Sequence, residues 1–109
     1  MSPLRIAHNT TATGPVLHVN GELDYEHARA LREHAQRCAL APEVRLTIDL
    51  SGLQFCDSTG LSTLLAVLHH AQAAGSDLTL TAVPADTLRI LTSTGLDQVF
   101  TLQPAAAPG

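Results

Sequence analysis

The feature that most constrains this chain is a strand-like run that leads almost directly into a helix-like one. Val44-Arg45-Leu46-Thr47-Ile48-Asp49-Leu50 is short, rich in branched residues and followed by Ser51-Gly52, which is how a strand reads. From about Ser58 to Ala74 the period changes. Leu61, Leu64, Leu65, Leu68 and Ala71 form one stripe at helical spacing, and Gly75 stops it. Leu78 to Val83 then resumes an extended pattern that Pro84 ends. Elements alternating in this way bury their apolar sides together when helices pack against a largely parallel sheet.

The alternation extends in both directions. Leu4, Ile6 and His8 alternate with Arg5, Ala7 and Asn9, the run Asn9 to Pro15 supplies a turn, and Val16 to Val19 is extended again. Asn20-Gly21 is expected to end that second strand. From Glu26 on, Ala28, Leu31, Ala35 and Cys38 fall at helical spacing, with Arg29, Arg32, Glu33 and Arg37 on the other side. Asp24 is suited to cap this helix, because its carboxylate accepts the free N–H groups of a first turn. Asp86 to Thr94 reads as a short helix with Leu88 and Leu91 inward, and Val99 to Leu102 as a last strand. The fold class is α/β, in the order β-β-α-β-α-β-α-β: a hairpin, then a mixed sheet with helices packed against it. Residues 1–103 are expected to form one domain and 104–109 a flexible tail, since Pro104-Ala105-Ala106-Ala107-Pro108-Gly109 has nothing to bury.

Composition narrows the functions such a domain can carry. The formal charge is −4, and all six basic residues are arginines, which speaks against a phosphate-backbone binder or an anionic membrane surface. Aromatics make up 3% of the chain, too few for a base-stacking platform. No apolar run approaches the roughly 20 residues of a membrane span, and Met1 to Arg5 does not open a secretory signal. Cys38 and Cys56 lie 18 apart, in neither a CxxC pair nor a disulfide framework. A cytoplasmic protein is expected, with protein partners, no direct nucleic acid and no membrane.

One segment stands out chemically. Phe55-Cys56-Asp57-Ser58-Thr59-Gly60-Leu61 follows the best strand and opens the best helix. Asp57, Ser58 and Thr59 are all capping residues, more than one cap requires, and Gly60 leaves the first turn bare enough for a partner to approach. Two readings stand side by side. The segment is a capping sequence with a convenient glycine, or Ser58 is a switch hydroxyl in a docking surface. A phosphate on Ser58 would add about −1.5 to −2 charges, and a helix N-terminus tolerates an anion, so binding could be switched while the fold is spared.

The chain resembles the STAS family, and within it the bacterial anti-sigma factor antagonists. Four stretches carry the likeness: Asn20-Gly21-Glu22-Leu23-Asp24, the run Leu46 to Leu61 (LTIDLSGLQFCDSTGL), Gly75 with the strand after it, and Leu91 to Phe100 (LTSTGLDQVF). The resemblance implies that Ser58 is the serine phosphorylated by the cognate anti-sigma factor, itself a serine kinase. It implies that the unphosphorylated form binds that anti-sigma factor and releases the sigma factor, and that a PP2C-type phosphatase resets the switch. Asp24 then falls where the family presents an acidic residue to the partner, and Asp57, Thr59 and Gly60 flank the modified serine. An alternative within the family is an accessory subunit of a transport or stress-signalling complex, with Ser58 only a helix cap. Two departures are visible. The further C-terminal helix of many relatives is not apparent, which would leave an apolar sheet face less covered. Cys56 stands where a larger apolar residue is common, and reads as a small buried hydrophobe.

Other chemistries find little support. The six histidines, His8, His18, His27, His34, His69 and His70, include no pair three or four apart on one helix face, so no metal site is expected. An enzyme using Ser58 as nucleophile would need a base and usually a GxSxG turn, and the sequence here is Cys-Asp-Ser-Thr-Gly. The chain has no lysine for a Walker-type loop. No cofactor is expected.

Overall fold

A computed structural model describes residues 3–104. The chain runs β1 (Arg5–Thr11), β2 (Gly14–Leu23), α1 (Ala28–Arg37), β3 (Arg45–Asp49), β4 (Leu53–Cys56), α2 (Ser58–Ala73), β5 (Asp77–Thr81), α3 (Ala85–Thr94), a 3₁₀ turn (Leu96–Gln98) and β6 (Thr101–Gln103). The sheet order is β1-β2-β3-β5-β6, with β4 also paired to β2. Among the described residues only the β1–β2 hairpin is antiparallel, and the remaining ladders are parallel. The mixed α/β architecture expected from the alternation is therefore the one observed. Of the tail expected from residue 104 on, everything past Pro104 lies outside the described residues.

Two features depart from the expected order, and they have one cause. Asn20-Gly21 does not end β2, which continues to Leu23. Gly21 adopts φ +101°, a backbone state that costs glycine little, and the register shifts between Gly21 and Glu22. At this bend β2 changes neighbours, pairing Val16–His18 with β3 and Gly21–Leu23 with β4. The fourth strand was not expected because Ser51-Gly52 reads as a stop. In the fold it is a turn closed by Leu53 N–H donating to the Leu50 carbonyl at 3.0 Å, while Gly21 N–H donates to the Gly52 carbonyl at 2.9 Å. The chain sidesteps and goes on running beside β2.

Burial follows the period of each element. Leu17 and Val19 of β2, Leu46 and Ile48 of β3, and Leu78 and Leu80 of β5 point into the core, where Leu31 and Ala35 of α1 and Leu64, Val67, Leu68 and Ala71 of α2 meet them. Leu91 anchors α3 there too. Leu88, expected inward, is exposed, and Thr87 turns in instead. The opposite sheet face carries Ala7, Asn9, Thr11, Val16, His18, Thr47, Asp49, Thr79 and Thr81 by strand alternation. Among the described residues no helix follows β6, yet that sheet face is mainly polar rather than the under-covered apolar one expected. His18 organises it, with Nδ1 2.8 Å from Asp49 Oδ2 and Nε2 2.6 Å from Asn9 Oδ1. The three side chains tie β1, β2 and β3 together across the strands.

Candidate functional site

The site forms where β2 and β4 end together. Glu22 pairs with Phe55 and Leu23 with Cys56, so Asp24 and Asp57 leave the sheet side by side. The Leu23 carbonyl accepts the Asp57 N–H at 3.4 Å, fixing the point at which α2 begins. Asp57 is the N-cap: its backbone is extended, and its Oδ1 accepts the Gly60 N–H at 2.8 Å. One orphan donor of the first turn is thereby satisfied, with negative charge at the positive end of the helix dipole.

With Asp57 as cap, Ser58 becomes the first helical residue. It is exposed, and its hydroxyl has no hydrogen-bond partner among the described residues. The N–H groups of Ser58 and Thr59 are the remaining orphan donors of the turn. Thr59 is partly buried, its carbonyl accepting the Thr63 hydroxyl at 2.9 Å.

Gly60 has a different job from the one its smallness suggested. It is buried, and a Cβ there would stand 2.3 Å from the Leu23 carbonyl oxygen and 2.8 Å from Cys56 Sγ. Its bareness lets α2 lie against the end of β2. Cys56, buried as expected, has its thiol pushed up to about 12, first by burial and then by the Asp57 charge. It stays a neutral packing group at physiological pH.

Asp24 shapes the entry to α1 without being its N-cap. Its Oδ1 accepts the His27 N–H at 3.1 Å and lies 2.7 Å from His27 Nδ1, while its carbonyl accepts the Ala28 N–H at 2.9 Å. The N-cap position itself is His27, which makes no side-chain capping bond. The Asp24 carboxylate thus accepts a backbone N–H as expected, but in the turn just before α1, on His27.

Two surface residues went unnoticed in the sequence. Tyr25 is 80% exposed and Phe55 52% exposed, unusual for large side chains that could have been buried. Phe55 gave no signal because β4 itself was not expected. Tyr25, Arg29 and Arg32 line a groove of about 450 Å³ with Thr59 and Thr63, so the two helices share one surface around the α2 N-terminus. Among the described residues, no cluster of three or more His, Cys, Asp or Glu groups could hold a metal, and no helix is long and apolar enough to cross a membrane.

A mixed sheet, parallel apart from its first hairpin, with an Asp-capped helix starting at the end of β4, defines this class of α/β domain. A family model described as "Mlab, STAS domain" matches residues 6–104, and the chain belongs to the STAS domain family. Among solved structures, an anti-sigma factor antagonist from Mycobacterium paratuberculosis is similar at 27% identity and TM-score 0.73, covering 94% of this chain and 86% of that one. The anti-sigma factor antagonist SpoIIAA in its unphosphorylated form is similar at 19% identity and TM-score 0.67, covering 94% and 90%. A sulfate transporter family protein from Wolinella succinogenes is similar at 16% identity and TM-score 0.71, covering 89% and 82%. The last two likenesses are of fold alone.

Proposed function

We propose that this protein is an anti-sigma factor antagonist whose control point is Ser58. The observation that carries the reading is the division of labour at the start of α2. Asp57 makes the capping bond, so Ser58 is left exposed at the helix tip with its hydroxyl unengaged among the described residues. A kinase can reach such a hydroxyl without disturbing the fold. The phosphate formed there would be accepted by the orphan N–H groups of the turn. It would also set about two negative charges next to the Asp57 carboxylate, in the middle of the docking surface.

In this reading the unphosphorylated protein binds a cognate anti-sigma factor, itself a serine kinase, through Asp24, Asp57, Ser58 and Thr59. Gly60 serves that surface from beneath by letting α2 sit close to β2. Tyr25 and Phe55 add exposed aromatic area of the kind that anchors protein interfaces. Binding frees the sigma factor, phosphorylation of Ser58 releases the anti-sigma factor, and a PP2C-type phosphatase restores the starting state. The protein works in the cytoplasm and performs no catalysis of its own. Similarity to the Mycobacterium paratuberculosis antagonist supports the reading, as does the existence of SpoIIAA in a form named as unphosphorylated.

The second reading, an accessory subunit of a transport or stress-signalling complex, is favoured by the likeness to a sulfate transporter family protein. Its supposition that Ser58 serves only as a cap fits poorly with Asp57 in that place. Intact mass and peptide mapping of the protein from its native cells separate the two. A fraction carrying one phosphate on Ser58, varying with growth state and abolished in Ser58→Ala, is the expected result. Absence of that phosphate under every growth and stress condition would overturn the switch and favour the accessory subunit.

A further inference from the structure

The surface between α1 and α2 carries a charge pattern that switching at Ser58 does not require. Tyr25, in the turn before α1, is followed at spacings of four, three and four by Arg29, Arg32 and Gln36, which form a single stripe along one side of the helix. They flank α2 in two depressions of about 450 and 290 Å³ that follow one another along the channel between the helices, with Arg32 lining both. Its floor is small and apolar, contributed by Ala28, Ala35, Ala66 and Val67.

The charge of this channel opposes that of the whole molecule. The chain carries −4 overall, yet α2 contains no Asp or Glu and closes the far end of the channel with His69 and His70. The single acid lining it is Glu26, at the Tyr25 end. Arg29 and Arg32 are exposed and take no part in the ion pairs formed among the described residues, which join Asp24 to His27, Asp49 to His18 and Asp86 to Arg89. Two guanidiniums free of those ion pairs therefore border an apolar floor.

We propose that this channel binds an acidic amphipathic helix of a protein partner. A groove between two helices accepts a third helix through interdigitating side chains. Small residues on the floor admit the apolar stripe of that helix, and its flanking carboxylates meet the forked donors of Arg29 and Arg32. A nucleic acid is disfavoured, because its backbone would meet the net negative field of the protein beyond these two arginines. The proposal concerns recognition by charge and does not depend on modification of Ser58.

The test uses the full chain, ¹⁵N-labelled, and two helical peptides of about four turns. Both carry leucine along one stripe, flanked in one by glutamate and in the other by lysine. The glutamate peptide should perturb resonances along the channel, Arg29, Arg32 and His70 among them, and bind more weakly as salt rises. The double variant Arg29→Glu, Arg32→Glu should weaken it by about tenfold or more, since two close charge pairs become repulsive. Arg89→Glu, on the exposed side of α3, should leave it unchanged, and because the phosphate on Ser58 is read separately by mass, failure here is distinct from failure of the switch. Thermal unfolding and the remaining resonances of the double variant check that it is folded. Equal binding of the lysine peptide, equal binding by the double variant, no binding at millimolar peptide, or preference for a single-stranded oligonucleotide would each overturn the proposal.

Discussion

Which residue caps α2 can be weighed directly, because Asp57 and Ser58 are neighbours with opposite expected costs. Replacing Asp57 by alanine removes the 2.8 Å acceptor of the Gly60 N–H, a capping loss of about 1 kcal/mol. It also removes a carboxylate from the positive end of the dipole, an overlapping contribution of about 0.3–1 kcal/mol. A total of about 1–2 kcal/mol is expected, and each kcal/mol lowers the Tm of a domain this size by roughly 4–8 °C. Replacing Ser58 removes an exposed hydroxyl with no partner among the described residues, and alanine is the better helix former. That change should fall within about 0.5 kcal/mol of the parent. Urea unfolding followed by far-UV circular dichroism, for both variants and the double variant, measures the difference, with an unchanged m-value showing that only stability has moved. A Ser58→Ala cost of about 1 kcal/mol or more with a neutral Asp57→Ala would reverse this assignment. Ser58 would then be a structural cap, and the basis for treating it as a free switch would be gone.

Gly60→Ala sets helix propensity against packing. Alanine gains about 1 kcal/mol in a helix interior, but its Cβ would lie 2.3 Å from a backbone oxygen, and overpacking of that kind costs about 1–3 kcal/mol. A net loss is expected in urea unfolding, and a stabilised variant would contradict the close approach of α2 to Leu23. The Asp49 carboxyl is pushed up by burial but pulled down further by the Ser51 N–H and by His18, so it sits below the usual carboxylate range. The unfolded chain then takes up this proton at higher pH than the native one, so the stabilisation is complete above about pH 4 and lost as acid passes through the folded value. Asp49→Asn should lower stability at neutral pH and flatten its dependence below pH 4, as seen in urea titrations at several pH values. Ser58→Asp should weaken binding to the anti-sigma partner less than phosphate does, because one carboxylate carries less charge. Unchanged affinity in a calorimetric titration would count against Ser58 as the switch.

Much of the architecture is written in local periodicity. The stripe Ala28, Leu31, Ala35 and Cys38 and the start of α2 at Ser58 coincide with the structure, because a period of 3.6 and a cluster of capping residues are properties of neighbours along the chain. The alternation of elements was enough to define a mixed sheet for the same reason. What escaped the sequence depends on segments far apart in it. Ser51-Gly52 is a stop in isolation and a sidestep once β2 lies alongside to receive it, with Gly21 bending to change partners. Asp57, Ser58 and Thr59 are equivalent as capping letters, and the Leu23 carbonyl, holding the Asp57 N–H, is what selects among them. Leu88 and Thr87 are adjacent, and only the seating of α3 decides which one faces inward. The facing of Tyr25 and Arg29 across a groove from Thr59 joins residues some thirty positions apart. Sequence alone determined most of the strands and helices, β4 excepted, and placed a serine at a helix start. The tertiary structure decided which groups there are consumed by the fold and which remain free, because a hydrogen bond or a steric contact between distant segments leaves no periodic trace in either one.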